Sequence, residues 1–353
     1  MQPCFYILNG ENGTTYILNI SNKVSINNSI KFYKATTIKS KIKKQLLKKY
    51  LKILRLGNTK VIRTPKQISS FLQAKFSTNL DFNVNANCSI LLAPTGDKVI
   101  VHHHNKYFQK FAFGKSYNNV VKESEIYNIL GKPKYFKTSQ LFNFVNDKQL
   151  KYCEFKLKNQ TNKLVESKII NDTICSALVE FFQSNSVNSI NINEYIFSRI
   201  NEHKHIFRDN LKQILEVLNT ICSNNNNKKI PLGLVHRDFK PWNILQQDKL
   251  LIYDFEEAVL NGPPLEDLFN YYIDPKIRYI SPSKLSNNIF SERKILFFED
   301  YLKRLEINVH YSVLLFTYLL ERIIFWSNEN NLKTVQAYKS FLAHLIQQNK
   351  FEV

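Results

Sequence analysis

The chain reads as an α+β protein, with a β-rich stretch followed by a mainly helical one. Three observations predict this. The runs 88–94, 98–102 and 107–113 are apolar and rich in β-branched or aromatic residues. They are broken by Thr95-Gly-Asp97 and Asn105-Lys106, as antiparallel strands joined by tight turns would be. From about Lys168 the apolar residues recur at helical spacing instead: Ile170, Ile174, Leu178 and Phe181, then Leu211, Ile214, Leu215, Leu218 and Ile221. Finally, 353 residues with 44% hydrophobic content exceed one average domain.

Taken in chain order, Cys4 to Leu8 and Thr15 to Ile20 are short strand-like runs able to pair across Asn9-Gly-Glu-Asn-Gly13. Thr37 to Leu56 predicts an amphipathic helix. Ile38, Ile42, Leu46, Tyr50 and Leu54 recur every fourth residue with Leu47 and Leu51 alongside, and Lys39, Lys41, Lys43, Lys44, Lys48, Lys49, Lys52 and Arg55 fill the remainder. Such a helix suits an anionic membrane surface, an acidic polymer or a partner protein, or its stripe packs on the rest of the fold while the lysines meet water. Three strands follow, joined first by Pro94-Thr-Gly96-Asp97, which reads as a plain hairpin turn. A helix is expected from about Asn118 to Leu130, then strands over 140–146 and 149–156 around Asp147-Lys148. The polar run 158–163 separates two lobes. The low-complexity loop 223–229 leads to Pro231. Val309 to Trp326 is long and apolar but holds His310, Glu321 and Arg322, so a buried helix is preferred to a membrane span. The expected division is a basic N-terminal module over 1–80, a β-rich lobe over 81–160 and a helical lobe over 161–353.

Charge is distributed unevenly. The net +20 comes from 49 basic and 29 acidic residues. Residues 1–75 hold 15 Lys/Arg against the single acid Glu11, residues 76–159 hold 12 against 6, and residues 160–353 are balanced at 22 each. The excess therefore belongs to the front of the chain. Charge alone permits nucleic-acid binding, but there is no groove-reading motif or interleaved aromatic platform, so nucleic acid is not the expected partner. Cys4, Cys88, Cys153, Cys175 and Cys222 are odd in number, widely spaced and free of C-x-x-C, which argues against disulfides and zinc. His102-His103-His104 is awkward as a metal site, because successive strand residues point to opposite faces. The run Cys4 to Leu8 is too short, and lacks a basic region, for a secretory signal; a cytoplasmic protein is expected.

The most informative segment is Gly233-Leu-Val-His-Arg-Asp-Phe-Lys-Pro-Trp-Asn-Ile-Leu-Gln-Gln-Asp-Lys-Leu-Leu-Ile-Tyr-Asp-Phe-Glu256. Asp238 is followed five residues later by Asn243 and eleven further on by Asp254. The intervening 244–253 reads as a hairpin whose turn is Gln247-Asp248-Lys249. A hairpin brings its open ends together, and those ends carry an amide oxygen and a carboxylate, which are ligands suited to Mg2+. Phosphoryl transfer asks a protein for such ligands beside the nucleotide phosphates and for a base beside the acceptor hydroxyl, a role open to Asp238. Phe239, Pro241 and Trp242 would pack the loop down and hold that carboxylate in place, since preorganisation carries most of the catalysis.

His236-Arg-Asp238-Phe-Lys-Pro-Trp-Asn243 with Asp254-Phe-Glu256 resembles the pattern H-x-D-x-x-x-x-N … D-x-[DE] of the aminoglycoside phosphotransferase and choline kinase family. The Asp-Phe-x-Pro-Trp-Asn wording is most like members associated with bacterial surface-glycan genes. Gly262-Pro-Pro-Leu-Glu-Asp-Leu268 is similar to that family's segment after the metal strand, where the last Asp is usually structural. The resemblance implies a two-lobed, protein-kinase-like fold, ATP and Mg2+ as cofactors, Asn243 and Asp254 as metal ligands, and Asp238 as the base. His236 then braces the loop, and Arg237 does likewise or faces solvent. The family also places a lysine on the third strand, held by a glutamate on the following helix, against the α and β phosphates. Lys110 with Glu123 fits those places, with Lys106 and Glu125 as runners-up. Glu256, where protein kinases carry glycine, favours a small-molecule or glycan acceptor over a protein. Lys240 sits where protein kinases have a lysine near the transferred phosphate, and many small-molecule members lack it. The single glycine at 96 departs from G-x-G-x-x-G. Two function classes follow: an ATP-dependent phosphotransferase acting on a hydroxyl of a sugar or glycan intermediate, and a catalytically degenerate kinase serving as a membrane-, polyanion- or partner-binding module. Peripheral contact with the inner face of the membrane through residues 37–56 is compatible with either.

Overall fold

The structure is a computed structural model that describes residues 3–10, 13–32, 38–54, 62–85, 87–104, 106–158, 172–185, 188–208, 211–246 and 249–351. It divides into two compact units, one over 1–127 and 139–161 and the other over 128–138 and 162–353. The α+β class is as the sequence predicts: one unit is built on an antiparallel sheet and the other is mainly helical.

The first unit contains β1 (Phe5–Asn9), β2 (Thr15–Asn19), α1 (Lys23–Phe32), α2 (Ile38–Leu54), β3 (Ile62–Arg63), α3 (Pro65–Phe76), β4 (Cys88–Leu92), β5 (Lys98–His103), β6 (Tyr107–Phe113) and most of α4 (Gly114–Leu130). Past β7 (Phe136–Thr138), which belongs to the second unit, it is completed by β8 (Leu141–Asp147) and β9 (Tyr152–Lys158). Eight strands form one sheet in the order β3-β1-β2-β4-β5-β6-β9-β8, antiparallel throughout. Thus the first 80 residues, expected as a module of their own, contribute three strands to the sheet that residues 81–160 build. Successive residues of β2 serve two cores, as the twofold alternation of a strand requires. Ile17 packs with Ile90, Val99, Val101 and Phe111 under Ile68 and Leu72 of α3, whereas Leu18 packs with Ile26 and Ile30 of α1 and Leu51 and Leu54 of α2.

Local chemistry fixes several boundaries. Helix α3, not anticipated from its weak periodicity, begins at a capping box in which Thr64 and Gln67 satisfy each other's backbone N–H, with Pro65 at the first helical position. The 93–98 turn closes on itself, Gly96 N donating to Ala93 O at 2.9 Å and Ala93 N to Lys98 O at 3.0 Å, and Gly96 takes φ +75°. Asp97 then accepts from Ser116 N and Ser116 Oγ at 2.9 and 2.7 Å, so α4 starts at Gly114 rather than near 118. Strand β9 begins at Tyr152, later than the expected 149, because Asp147 Oδ1 accepts from both Gln149 N and Leu150 N at 3.0 Å and prolongs the turn. Residues 159–163, Ile170, the Gln247-Asp248 turn, Thr37 and Arg55 lie outside the described residues.

The second unit carries β7, α5 (Asp172–Gln183), β10 (Asn188–Asn191), α6 (Ile192–Glu202), α7 (Leu211–Asn224), β11 (Lys229–Val235), β12 (Ile244–Gln246), β13 (Leu250–Ile252), β14 (Val259–Gly262), α8 (Glu266–Ile273), α9 (Pro282–Ile289), α10 (Glu292–Arg304), α11 (Tyr311–Asn328) and α12 (Leu332–Gln347). Its strands make two small sheets, β10-β11-β14 and β12-β13-β7, with β7 parallel to β13. Helix α11 is buried along nearly its whole length, and among the described residues no helix is long and apolar enough to cross a membrane. Gly233 of β11 pairs with Gly262 of β14, and neither position has room for a side chain. A Cβ on Gly233 would meet Phe182 O at 2.4 Å, and one on Gly262 would meet Val235 Cγ2 at 2.5 Å. These two glycines seat the strand that delivers His236. Gly233→Ala should therefore cost about 1–3 kcal/mol in urea unfolding, the range for overpacking a closed site. Unchanged stability would mean that α5 can withdraw from β11 freely.

Candidate active site

The loop after β11 is shaped by one carboxylate. Asp267, in the first turn of α8, accepts His236 N at 2.9 Å and Arg237 N at 3.0 Å, one on each oxygen. Between those donors the chain turns sharply: Arg237 adopts the left-handed φ of 60°, a costly conformation for a residue with a side chain. Its carbonyl is taken up by Asn270 Nδ2 and by Arg322 Nη1 at 3.3 Å, and its guanidinium by Glu266 at 2.9 Å. His236 is fully buried against Phe181, Phe239 and Phe255, and burial lowers its pKa, which keeps the imidazole neutral. Its Nε2 hydrogen-bonds with Tyr253 O at 3.0 Å, tying the loop to the segment that leads from β13 to Asp254. These contacts make His236 and Arg237 bracing residues.

Asp238 follows the turn with its carboxylate fixed at both oxygens. Asn243 Nδ2 donates to Oδ2 at 2.6 Å, and the Lys240 ammonium pairs with Oδ1. The Asn243 amide also donates to Asp238 O at 2.9 Å, which leaves its Oδ1 buried with no hydrogen-bond partner among the described residues. A buried acceptor in that state is rare and wants a donor or a cation. The β12–β13 hairpin forms in the register Ile244↔Ile252, and Tyr253 N donates to Asn243 O at 3.3 Å, so Asn243 and Asp254 lie at its open end. Asp254 itself is left-handed, φ 72°. The donor set of one amide oxygen and one carboxylate fits Mg2+.

Behind Asp238 stands a charged layer centred on Asp274, a residue outside the H-x-D-x-x-x-x-N … D-x-[DE] motif. Lys240 also pairs with Asp274 at 2.8 Å, and Asp274 is held by Arg322 at 3.2 Å and Tyr338 OH at 2.7 Å. Arg322 is fully buried, beneath the rings of Phe325 and Trp326. Burial alone would depress the Lys240 ammonium, yet Asp238 and Asp274 more than offset it and its pKa is raised. Burial alone would raise the Asp274 carboxyl, yet Lys240 and Arg322 bring it down to about 2. Glu257, half-buried, is pushed up to about 7 by its loss of solvent and then by the charge of Asp238. A signal for this layer does exist: Asp267, Asn270 and Asp274 recur at i, i+3 and i+7, a polar stripe along an otherwise apolar helix.

In the first unit, Lys110 of β6 and Glu123 of α4 form a buried ion pair at 2.6 Å, with the ammonium over the Phe155 ring. The alternatives Lys106 and Glu125 are both exposed. His102 stacks on Phe108 at 4.3 Å and meets the His104 ring edge-on at 5.3 Å, His103 Nε2 meets Gln109 Oε1 at 3.1 Å, and His104 Nε2 meets Ser89 Oγ at 2.7 Å.

Residues 191–306, which contain Asp238, Asn243, Asp254 and Asp274, match the phosphotransferase enzyme family. A search of curated proteins found no match. Among solved structures the chain is similar to a thermostable mutant of aminoglycoside phosphotransferase APH(4)-Ia in its apo form, at 11% identity over 80% of this chain and 99% of that one, TM-score 0.45. It is also similar to a GDP and kanamycin complex of APH(2")-IIIa, at 10% identity over 80% and 98%, TM-score 0.49.

The Asp274 layer makes a pH-dependent prediction. Its carboxyl is lowered from 3.8 to about 2, so the stability it contributes is complete above the unfolded-state value and is lost as pH falls through about 2. Asp274→Asn should lower unfolding free energy by at least on the order of 2 kcal/mol near neutrality, a gap that closes between about pH 4 and pH 2. Urea titrations across that range measure it. A gap independent of pH would mean that Asp274 acts through packing alone.

Proposed function

We propose that this protein is an ATP-dependent phosphotransferase acting on a hydroxyl of a small molecule, with a sugar or glycan intermediate as the acceptor. One observation carries the reading: Asn243 divides its amide, spending Nδ2 on the Asp238 carboxylate while its buried Oδ1, at the same hairpin end as Asp254, has no hydrogen-bond partner among the described residues. That is the arrangement expected of a residue that orients a base with one atom and holds a cation with the other. The family match over 191–306 supports it. The acceptor class rests on the wording of the 238–243 segment and on the chain's basic balance, which suits an uncharged or anionic acceptor better than a cationic one.

In this reading Asp238 accepts the hydroxyl proton as the acceptor oxygen bonds to the γ-phosphorus and the bond to the ADP oxygen breaks. Lys240 and Asn243 fix the carboxylate, so little reorganisation is needed at that moment. Asn243 and Asp254 would hold Mg2+, which neutralises phosphate charge. Lys110, held in place by Glu123, would grip the α and β phosphates.

Two variants separate binding from chemistry. Saturating ATP with Mg2+ should stabilise the wild type by about 2–3 kcal/mol at a hundredfold excess over its dissociation constant, and Asp254→Ala should abolish most of that shift. Asp238→Asn should keep the thermal shift while turnover of labelled ATP onto a panel of sugars and lipid-linked or nucleotide sugars falls by on the order of a hundredfold or more. No thermal response to ATP with Mg2+ or Mn2+ would favour the degenerate-kinase reading. One feature points that way: the 93–98 turn hydrogen-bonds to itself through Gly96 N.

A further inference from the structure

Helix α2 has two apolar faces, and the described fold uses only one. At 100° per residue, Leu47, Leu51 and Leu54 share one side, where they pack against Leu18, Ile20, Ile26 and Ile30. Ile42, Leu46, Tyr50 and Ile53 fall on the adjoining face, in a stripe about 80° wide, and are 57%, 60%, 48% and 70% exposed. Tyr50 of this stripe meets the Tyr6 ring edge-on at 6.0 Å. Lys49 and Lys52 border the stripe on one side and Lys43 on the other, all exposed, and α2 contains no acidic residue. Burial therefore accounts for one face but leaves four large apolar residues in water within a row of cations.

We propose that this outer face of α2 docks on an anionic lipid bilayer, with Ile42, Leu46 and Ile53 entering the acyl boundary and Lys43, Lys49 and Lys52 meeting the headgroups. Charge complementarity selects this occupant. Two copies of the chain meeting through the stripe would bring like-charged lysine rows together, since a twofold contact places the same patch on both sides. A nucleic-acid backbone would engage the lysines but give the apolar stripe nothing to enter. An acidic lipid surface satisfies both, as it does for amphipathic helices that lie in the interface plane. The front of the chain, with 15 Lys/Arg and one acid in residues 1–75, adds to the same attraction. The inference stands whether or not the protein transfers phosphate.

The full-length protein should co-sediment with vesicles of phosphatidylcholine containing about one third phosphatidylglycerol, and bind pure phosphatidylcholine at least tenfold more weakly. Leu46→Gln/Ile53→Gln removes the stripe and keeps the charge. Lys43→Gln/Lys49→Gln/Lys52→Gln does the reverse, and each set should lower partitioning by about tenfold or more. All five positions are exposed, and an unchanged circular dichroism melt would show that the fold is retained. Leu46→Trp should shift its emission to the blue on vesicle addition and be quenched by bromines in the acyl chains, which charge attraction alone would not produce. Failure of the wild type to bind anionic vesicles at low salt, or full binding by the Leu46→Gln/Ile53→Gln protein, would overturn the proposal. A lipid-independent dimer that this same pair of changes dissolves would assign the face to a second copy instead.

Discussion

The geometry of the loop depends on Asp267. A buried carboxylate accepting two consecutive backbone N–H groups is what makes a left-handed Arg237 tolerable, and without that turn Asp238 would not face Asn243 and Lys240. The arrangement works against itself energetically: burial and the neighbouring Glu266 charge raise the Asp267 carboxyl, which stands at about 8 even though the two N–H donors and the Arg237 charge act to lower it. Placement in the first turn of α8 adds the favourable end of the helix dipole. The same helix supplies Asn270 to the Arg237 carbonyl and ends at Asp274, so three contacts to the loop ride on one rigid element. The Gly233–Gly262 pair, by letting β11 approach α5, sets where that loop begins.

How much of this was legible can be argued residue by residue. Strands β4 to β6 announced themselves because each is a short apolar run ended by a turn, and the hairpin between Asn243 and Asp254 because its spacing allows little else. Lys110 and Glu123 could be named as a pair only through the family resemblance; what the fold adds is the register, which buries Lys110 and leaves Lys106 outside. Helix α1 was missed because its stripe is interrupted by Asn27, Asn28 and Ser29, and Ser29 is buried for a reason the sequence does not display: it bonds Asn19 and Ser89, far away along the chain. Of the Asp274–Arg322–Tyr338 layer the sequence marks only Asp274, through the stripe it shares with Asp267 and Asn270. The layer's members lie on three helices and meet only in the fold.

The amphipathic helix shows where periodicity reaches its limit. Every fourth-residue spacing linked Ile38, Ile42, Leu46, Tyr50 and Leu54 into one stripe, but a helix turns 3.6 residues at a time, and over four turns the stripe drifts around the cylinder. Leu54 has rotated into the buried face while Ile42 and Leu46 remain outside. The sequence offered packing or surface binding as alternatives. The helix has a face for each.

Finally, the buried ions bear on whether these residues are there for stability. A buried ion pair seldom stabilises a fold more than apolar residues of the same volume would, because desolvation cancels most of the attraction. Lys110–Glu123 in one unit, and Lys240, Asp274 and Arg322 in the other, are thus poor choices for a chain selected only to fold. Lys240 and Asp274 lie within residues 191–306, the stretch that matches the phosphotransferase enzyme family, and Arg322 holds Asp274 from α11. A left-handed Asp254 and a buried amide oxygen with no partner among the described residues belong to the same class of expensive features. Within the second unit these features and the Lys240, Asp274 and Arg322 ions gather around Asp238, a concentration common at functional sites.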